Sequence, residues 1–210
     1  MNKIYYTDFG KITGEKLISK MENIKTISFK DAMVFFGIIK DDHLSIGVNK
    51  KIEEYLVTPR KNFTFSQYSS RGGLMYCRNV GLYRFCIDKS LNPDPDPFAI
   101  ELSNSVAASL IKSLRHLGLK NLTYIHNYIF DNGKKFAGLS GREYPNCKCV
   151  YLFINKEKMP FEKIKKIYKN KKFDNVTDLN KYNLPDNFYF GIVENFAYRW
   201  DLEIECLKRY

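Results

Sequence analysis

Asp131-Asn-Gly-Lys-Lys-Phe-Ala-Gly-Leu-Ser-Gly-Arg-Glu143 reads as a tight turn followed by a strand that carries a lysine and then small residues. Asp131-Asn132-Gly133 supplies residue types that tolerate the positive φ angles a two-residue hairpin turn demands. Lys135 then starts an extended run in which Ala137 and Gly138 leave the backbone bare enough for a ligand to lie against it. A cation on a rigid strand beside a smooth wall suits a carboxylate or phosphate with a long apolar tail. Leu122 to Phe130 reads as the strand before the turn, so the two runs form a hairpin.

Outward from the hairpin, strands alternate with helices and no linker interrupts them. The helix before it carries an apolar stripe of Leu102, Val106, Leu110, Leu114 and Leu117, closed by Gly118 at C′. Cys149 to Ile154 reads as a buried strand, Phe161 to Tyr168 as a helix, and Leu202 to Leu207 as a closing strand. Asp186 caps a last helix in which Phe188, Ile192 and Phe196 align. Towards the N-terminus, Leu17, Ile18 and Met21 mark a helix over Lys16 to Ile24 with Thr13 as its cap. Ala32 to Ile39 is a continuous apolar run, best read as a buried strand. Leu44 to Gly47, Phe63 to Tyr68 and Gly81 to Ile87 are strand-like, with a helix expected over Lys50 to Leu56. The prolines of Asn92 to Pro97 forbid regular structure there. The pattern predicts one α/β or α+β domain over residues 1–210, a mainly antiparallel sheet flanked by helices.

A chain of 210 residues can bury a full core, and 44% hydrophobic with 15% aromatic residues excludes a disordered chain. No apolar run reaches the roughly 18–20 residues of a membrane span, and the N-terminus lacks a signal-peptide pattern. Five scattered cysteines, an odd number, argue for reduced thiols and a cytoplasmic protein. The net charge of +11 raises the question of nucleic acid. Its densest basic stretch, Lys163, Lys165, Lys166, Lys169, Lys171 and Lys172, is interleaved with Ile164, Ile167 and Tyr168 at helical spacing, as on a solvated helix face. No helix-turn-helix, zinc-finger or RNA-recognition signature is present, so an acidic protein partner is favoured over nucleic acid.

Other chemistry-bearing residues are few. Arg71-Gly72-Gly73 lies between two strands, where paired glycines admit a bound group and the arginine can clamp a carboxylate or phosphate. Cys147 and Cys149 share one face of a strand, and an ammonium nearby would lower a thiol pKa. With no Cys-x-x-Cys and histidines only at His43, His116 and His126, no metal site is expected. P-loop and Rossmann phosphate motifs are absent.

Taken in order, these pieces resemble the biotin/lipoate protein ligase and octanoyltransferase superfamily over roughly residues 30–200. Ser70-Arg-Gly-Gly-Leu-Met-Tyr76 stands where that family has its glycine-rich element. Asn127 precedes the turn, Gly133-Lys-Lys-Phe-Ala-Gly138 matches the lysine motif with Lys135 on the essential lysine, and Val150 to Asn155 follows as the next strand. Val176-Thr-Asp-Leu179 resembles the Val-Thr-Asn-Leu of lipoate ligases. There are departures: one glycine fewer than the Ser-Gly-Gly-Gly loop, and Cys77 in the ligase histidine position. Against the octanoyltransferase pattern, the histidine position falls on Arg78. That branch also places a nucleophilic cysteine in an Asn-Pro-Cys-Gly turn, where this chain has only Ile167-Tyr-Lys-Asn170.

The resemblance implies a class II ligase-like fold and transfer of a lipoyl or octanoyl group to the lysine of an acidic lipoyl carrier domain. ATP and Mg would serve a ligase that forms an acyl-adenylate. A thioester-using transferase, with Cys147 or Cys149 as nucleophile, and a non-catalytic member that binds an acyl group or carrier protein are the alternatives. Lys135 would carry catalysis, while Arg71, Gly72, Gly73, Asn127, Ala137 and Gly138 would contact substrate. The accessory domain that many such ligases carry could come from a separate subunit.

Overall fold

Strands with no polar face must be covered on both sides, and Ala32–Ile39 and Val80–Asp88, buried along nearly their whole lengths, pair inside the large sheet. The structure is a computed structural model that describes residues 2–23, 31–56, 63–70, 73–91, 98–157, 160–169 and 176–207. Arg71, Gly72, Lys171, Lys172 and the proline-rich 92–97 lie outside the described residues. The strands are β1 (Lys3–Ile12), β2 (Ala32–Ile39), β3 (His43–Gly47), β4 (Thr64–Tyr68), β5 (Met75–Cys77) and β6 (Val80–Asp88), then β7 (Leu122–Ile125), β8 (Tyr128–Asp131), β9 (Lys134–Glu143), β10 (Cys147–Asn155) and β11 (Glu203–Cys206). The helices are α1 (Gly14–Glu22), α2 (Phe98–His116), α3 (Phe161–Ile167) and α4 (Phe188–Arg199).

Eight strands form one sheet in the order β11-β1-β2-β6-β10-β9-β8-β7, and β4-β3-β5 form a second. In the large sheet only β1 pairs in parallel, with β2 on one side and β11 on the other. Its other pairings are antiparallel, as the sequence pattern predicts. Successive residues point to opposite faces, so each strand feeds two cores. On one face Val34, Phe85, Leu152 and Phe136 meet α2 and α4. Leu102, Val106, Leu110 and Leu114 of α2 are all 0% exposed, each stabilising the fold by about 1.5–3 kcal/mol. The opposite face, with Met33, Phe35, Leu82 and Phe153, is covered by Leu17, Ile18 and Met21 of α1 and by Tyr68 and Cys77. Gly37 allows the close approach of α1, since a Cβ there would stand 2.7 Å from Leu17 Cδ1.

Several boundaries differ from those the sequence suggests. Leu117 is 38% exposed and Leu119 replaces it in the core. The chain reverses at Gly118 (φ +88), where the Leu119 amide donates to the Leu114 carbonyl in a helix-closing turn. The helix expected over Lys50 to Leu56 shrinks to a single 3-10 turn, Ile52–Glu54. Thr13 and Asn187 occupy the N-cap positions of α1 and α4 without a capping side-chain bond, so Asp186 is not the cap of α4. β1 escapes a periodicity reading because its register slips between Asp8 and Lys11, where Gly10 turns to φ +64. No helix among the described residues is long and apolar enough to cross a membrane.

Candidate active site

Two tight turns place Lys135. Asn132 (φ 49) and Gly133 (φ 74) close β8 onto β9 in the primed geometry expected of Asn-Gly. The stretch from Leu122 to Phe130 is not one strand, however. His126 (φ 48) and Asn127 (φ 66) make a second tight turn between β7 and β8. No glycine or proline marks it, which is why the sequence reads through it.

A bulge then sorts the side chains of β9. Phe130 pairs with Lys135 and Ile129 with Ala137, leaving Phe136 as an extra residue. Phe136 and Ala137 consequently both pack into the α2 core, at 0% and 2% exposure. Lys135 and Gly138 share the opposite face, and a Cβ at Gly138 would lie 3.7 Å from Lys135 Nζ and 3.4 Å from Tyr128 Cδ1. The bare wall on the lysine's own face is thus Gly138, while Ala137 packs into the core and still lines the cavity. That is the bulge's doing, because plain alternation would have put Ala137 with Lys135.

Lys135 is half-buried beside a cavity of about 130 Å³ whose walls include Leu74, Met75, Tyr76, Phe153, Ile164 and Tyr168. Burial holds its ammonium pKa down, from 10.5 to about 8. Among the described residues it has no hydrogen-bonding or carboxylate partner, only the ring of Tyr128, whose centroid is 3.6 Å from Nζ. Its main chain is fixed by the amide of Thr177, which donates to the Lys135 carbonyl at 2.8 Å. Asn155 Nδ2 in turn donates to the Thr177 carbonyl at 3.2 Å. The Val176 to Leu179 stretch therefore runs directly against the lysine strand.

The described part of the glycine-rich element also reaches this cavity through Leu74, Met75 and Tyr76. Gly73 is exposed and does not line that cavity, and its carbonyl accepts from Tyr68 Oη at 3.2 Å. Upstream, Ser69 and Ser70 are held hard against the large sheet. Ser69 donates its amide to Glu22 at 3.0 Å and accepts Arg142 Nη1 on its carbonyl at 2.7 Å, and Ser70 Oγ meets Ser140 Oγ at 2.6 Å. Beneath them the guanidinium of Arg84, 1% exposed, donates to the Met21 carbonyl. The contacts of this network had no signal in the sequence, since its members lie on four separated segments.

Other expected residues are placed elsewhere. Asn127 sits in the turn, its Oδ1 accepting from Tyr124 Oη at 2.9 Å and its carbonyl from the Leu139 amide at 2.8 Å. It borders a different, larger cavity of about 600 Å³ around Arg142 and Ser69. That cavity's cations are engaged, Arg142 on Ser69 and Lys148 with Glu143 at 3.6 Å, whereas Lys135 has no such partner among the described residues. The cysteines are not beside Lys135 either. In the register of β10 against β9, Cys149 opposes Arg142. At about 3.4 Å per residue that puts it on the order of 24 Å along the strand from Lys135. Cys149 is joined to its cross-strand partner Cys86 by a disulfide, contrary to the expectation of reduced thiols throughout. Cys147 is free, but burial raises its pKa, the opposite of an activated thiol. Cys77, which the resemblance sets in the ligase histidine position, is buried in the second core and pushed up to about 12 by burial.

No protein-family model matches this chain, and no curated protein matches it in sequence. Solved structures do match in fold. A bipartite lipoate protein ligase of Thermoplasma acidophilum, from a study that includes its lipoyl domain, has a TM-score of 0.80 at 13% identity, covering 99% of this chain and 88% of that one. A lipoate-protein ligase A bound with ATP has a TM-score of 0.77 at 13% identity over 99% and 89% of the two chains. A biotin protein ligase of Leishmania major in complex with biotinyl-5-AMP has a TM-score of 0.58 at 9% identity over 95% and 75%. The fold of this chain is the fold of the biotin/lipoate ligase catalytic domain.

Proposed function

We propose that this chain attaches a lipoyl or octanoyl group to the lysine of a lipoyl carrier domain, and that it does so as an ATP-dependent ligase. The observation that carries the reading is Lys135, a half-buried ammonium with no anionic partner among the described residues, beside an apolar cavity. Such a pair fits a ligand with a carboxylate or phosphate head and an apolar tail. The likeness to ligases whose structures hold ATP or a biotinyl adenylate supports the activation step.

In the first step a carboxylate oxygen of the acid attacks the α-phosphate of ATP, giving acyl-adenylate and pyrophosphate. In the second the neutral acceptor amine attacks the acyl carbon, the C–O bond to AMP breaks, and the amine proton is released. Lys135 holds the acyl or phosphate oxygens and stabilises the negative charge that gathers as the tetrahedral centre forms. A thioester route is disfavoured by the placement of the cysteines, none of which borders the Lys135 cavity. The net charge of +11 suits an acidic carrier, and the bipartite relative supports a separate accessory subunit.

The test is intact-mass spectrometry of a lipoyl domain incubated with the chain, lipoate or octanoate, and MgATP. The acyl mass should appear on the domain only with ATP and vanish with Lys135→Ala. Transfer from an acyl thioester without ATP would favour the transferase, and no transfer under any condition would favour a binding protein.

A further inference from the structure

A buried ammonium without a counter-ion should collapse onto the nearest acceptor or swing out to water, yet Lys135 does neither. Its side chain runs over Gly138 and ends beneath the ring of Tyr128, 3.6 Å from the centroid. Tyr128 is itself 43% exposed, so the ring is not there to fill a core. Its place is set from three sides. Its Cα pairs with Gly138 across the ladder, the tight turn at His126 and Asn127 launches it, and Gly138 leaves the space in which ring and ammonium meet. An aromatic face offers a cation partial negative charge without any proton to exchange.

We propose that Tyr128 is the positioning residue of Lys135, its ring standing in for the counter-ion and aiming the ammonium into the cavity until an anionic acyl or phosphate group takes it over. The proposal rests on Lys135 being the anion-holding group of the site. It also gives Gly138 a second use, since its missing side chain serves the Tyr128–Lys135 contact as well as any ligand. The other titratable groups at the cavity do not compete. Tyr76 from β5 and Tyr168 after α3 have pKa values raised by burial, so both are neutral phenols, and no described carboxylate borders it.

The experiment compares wild type with Tyr128→Phe, which keeps the ring, and Tyr128→Leu, which keeps apolar bulk without it. Lysines are reductively methylated with carbon-13 and titrated by NMR in the resting protein, the Lys135 signal being assigned by its absence in Lys135→Arg. Tyr128→Phe should titrate as wild type, and Tyr128→Leu should titrate lower by about half to one and a half pH units, the span a cation–π contact covers. The alkaline limb of kcat/KM for acyl transfer should move with it. Equal midpoints in wild type and Tyr128→Leu overturn the proposal. Because the titration needs no substrate, it reports on Tyr128 even where no acyl acceptor is found. A shifted midpoint without transfer would sink the ligase reading alone.

Discussion

At the scale of single residues, Lys135 is stable only at a cost to the fold. Its pKa stands near 8 instead of 10.5 because burial disfavours the charge. The sign follows directly: the folded state sheds this proton first, so stability rises as pH goes from about 8 to about 10.5, and at neutral pH the buried charge is a net penalty. Lys135→Met removes the charge and keeps the length. It should stabilise the protein by about 1–3 kcal/mol at pH 7 while abolishing acyl transfer. Urea unfolding of the two proteins at pH 7 decides this, and a destabilised Lys135→Met would make the lysine structural. His43 is the counterpart in the second sheet. It is 0% exposed, with Nδ1 2.7 Å from Thr64 Oγ1, which in turn donates to Asp41 at 2.6 Å. Burial lowers its pKa from 6.5 to about 4. The neutral imidazole therefore supports the fold fully above about pH 6.5, and roughly 3 kcal/mol is lost as pH falls from there towards 4. His43→Gln should flatten the stability-against-pH curve in that window, and parallel curves would refute the assignment.

At the scale of elements, the hairpin was legible and its refinements were not. Asn132-Gly133 announces its turn by residue type, and Gly133→Ala at φ +74 should cost about 1 kcal/mol in thermal or urea unfolding. An unchanged midpoint would mean that this turn does not limit the hairpin. The turn at His126 and Asn127 has an asparagine but no glycine, a weaker cue, and the Phe136 bulge depends on what lies opposite it, so neither stands out in local sequence. Both shape the candidate site, since together they bring Tyr128, Lys135 and Gly138 to one face. Continuous apolar runs were the opposite case. Ala32 to Ile39 is a strand with the expected ends, because no alternative burial suits eight apolar residues flanked by charges. Cys86 and Cys149 are 63 residues apart in sequence and become neighbours only through the β6–β10 register. A pattern reading had no access to that pairing.

At the scale of the whole molecule, the charge and the cavity make separable claims on two substrates. On the proposed reading the acyl acid is small and would meet Lys135 inside a partly desolvated cavity, where dissolved salt screens weakly. A carrier domain instead approaches from solution and sees the summed field of a chain with net charge +11. Charges at a carrier interface lie in the range where screening is strong, since the Debye length is about 10 Å at 0.1 M salt and about 3 Å at 1 M. Raising sodium chloride from about 0.05 to about 0.5 M should therefore raise KM for an acidic lipoyl domain on the order of tenfold or more, through slower association. KM for lipoate should move less than about twofold across the same range. Steady-state kinetics with each substrate varied in turn separate the two effects. A carrier KM indifferent to salt would mean that recognition rests on apolar contacts, for which exposed Ile125, the cross-strand partner of Tyr128, is a candidate. In that case Ile125→Ser, which leaves the Tyr128–Lys135 contact in place, would weaken the carrier where salt does not.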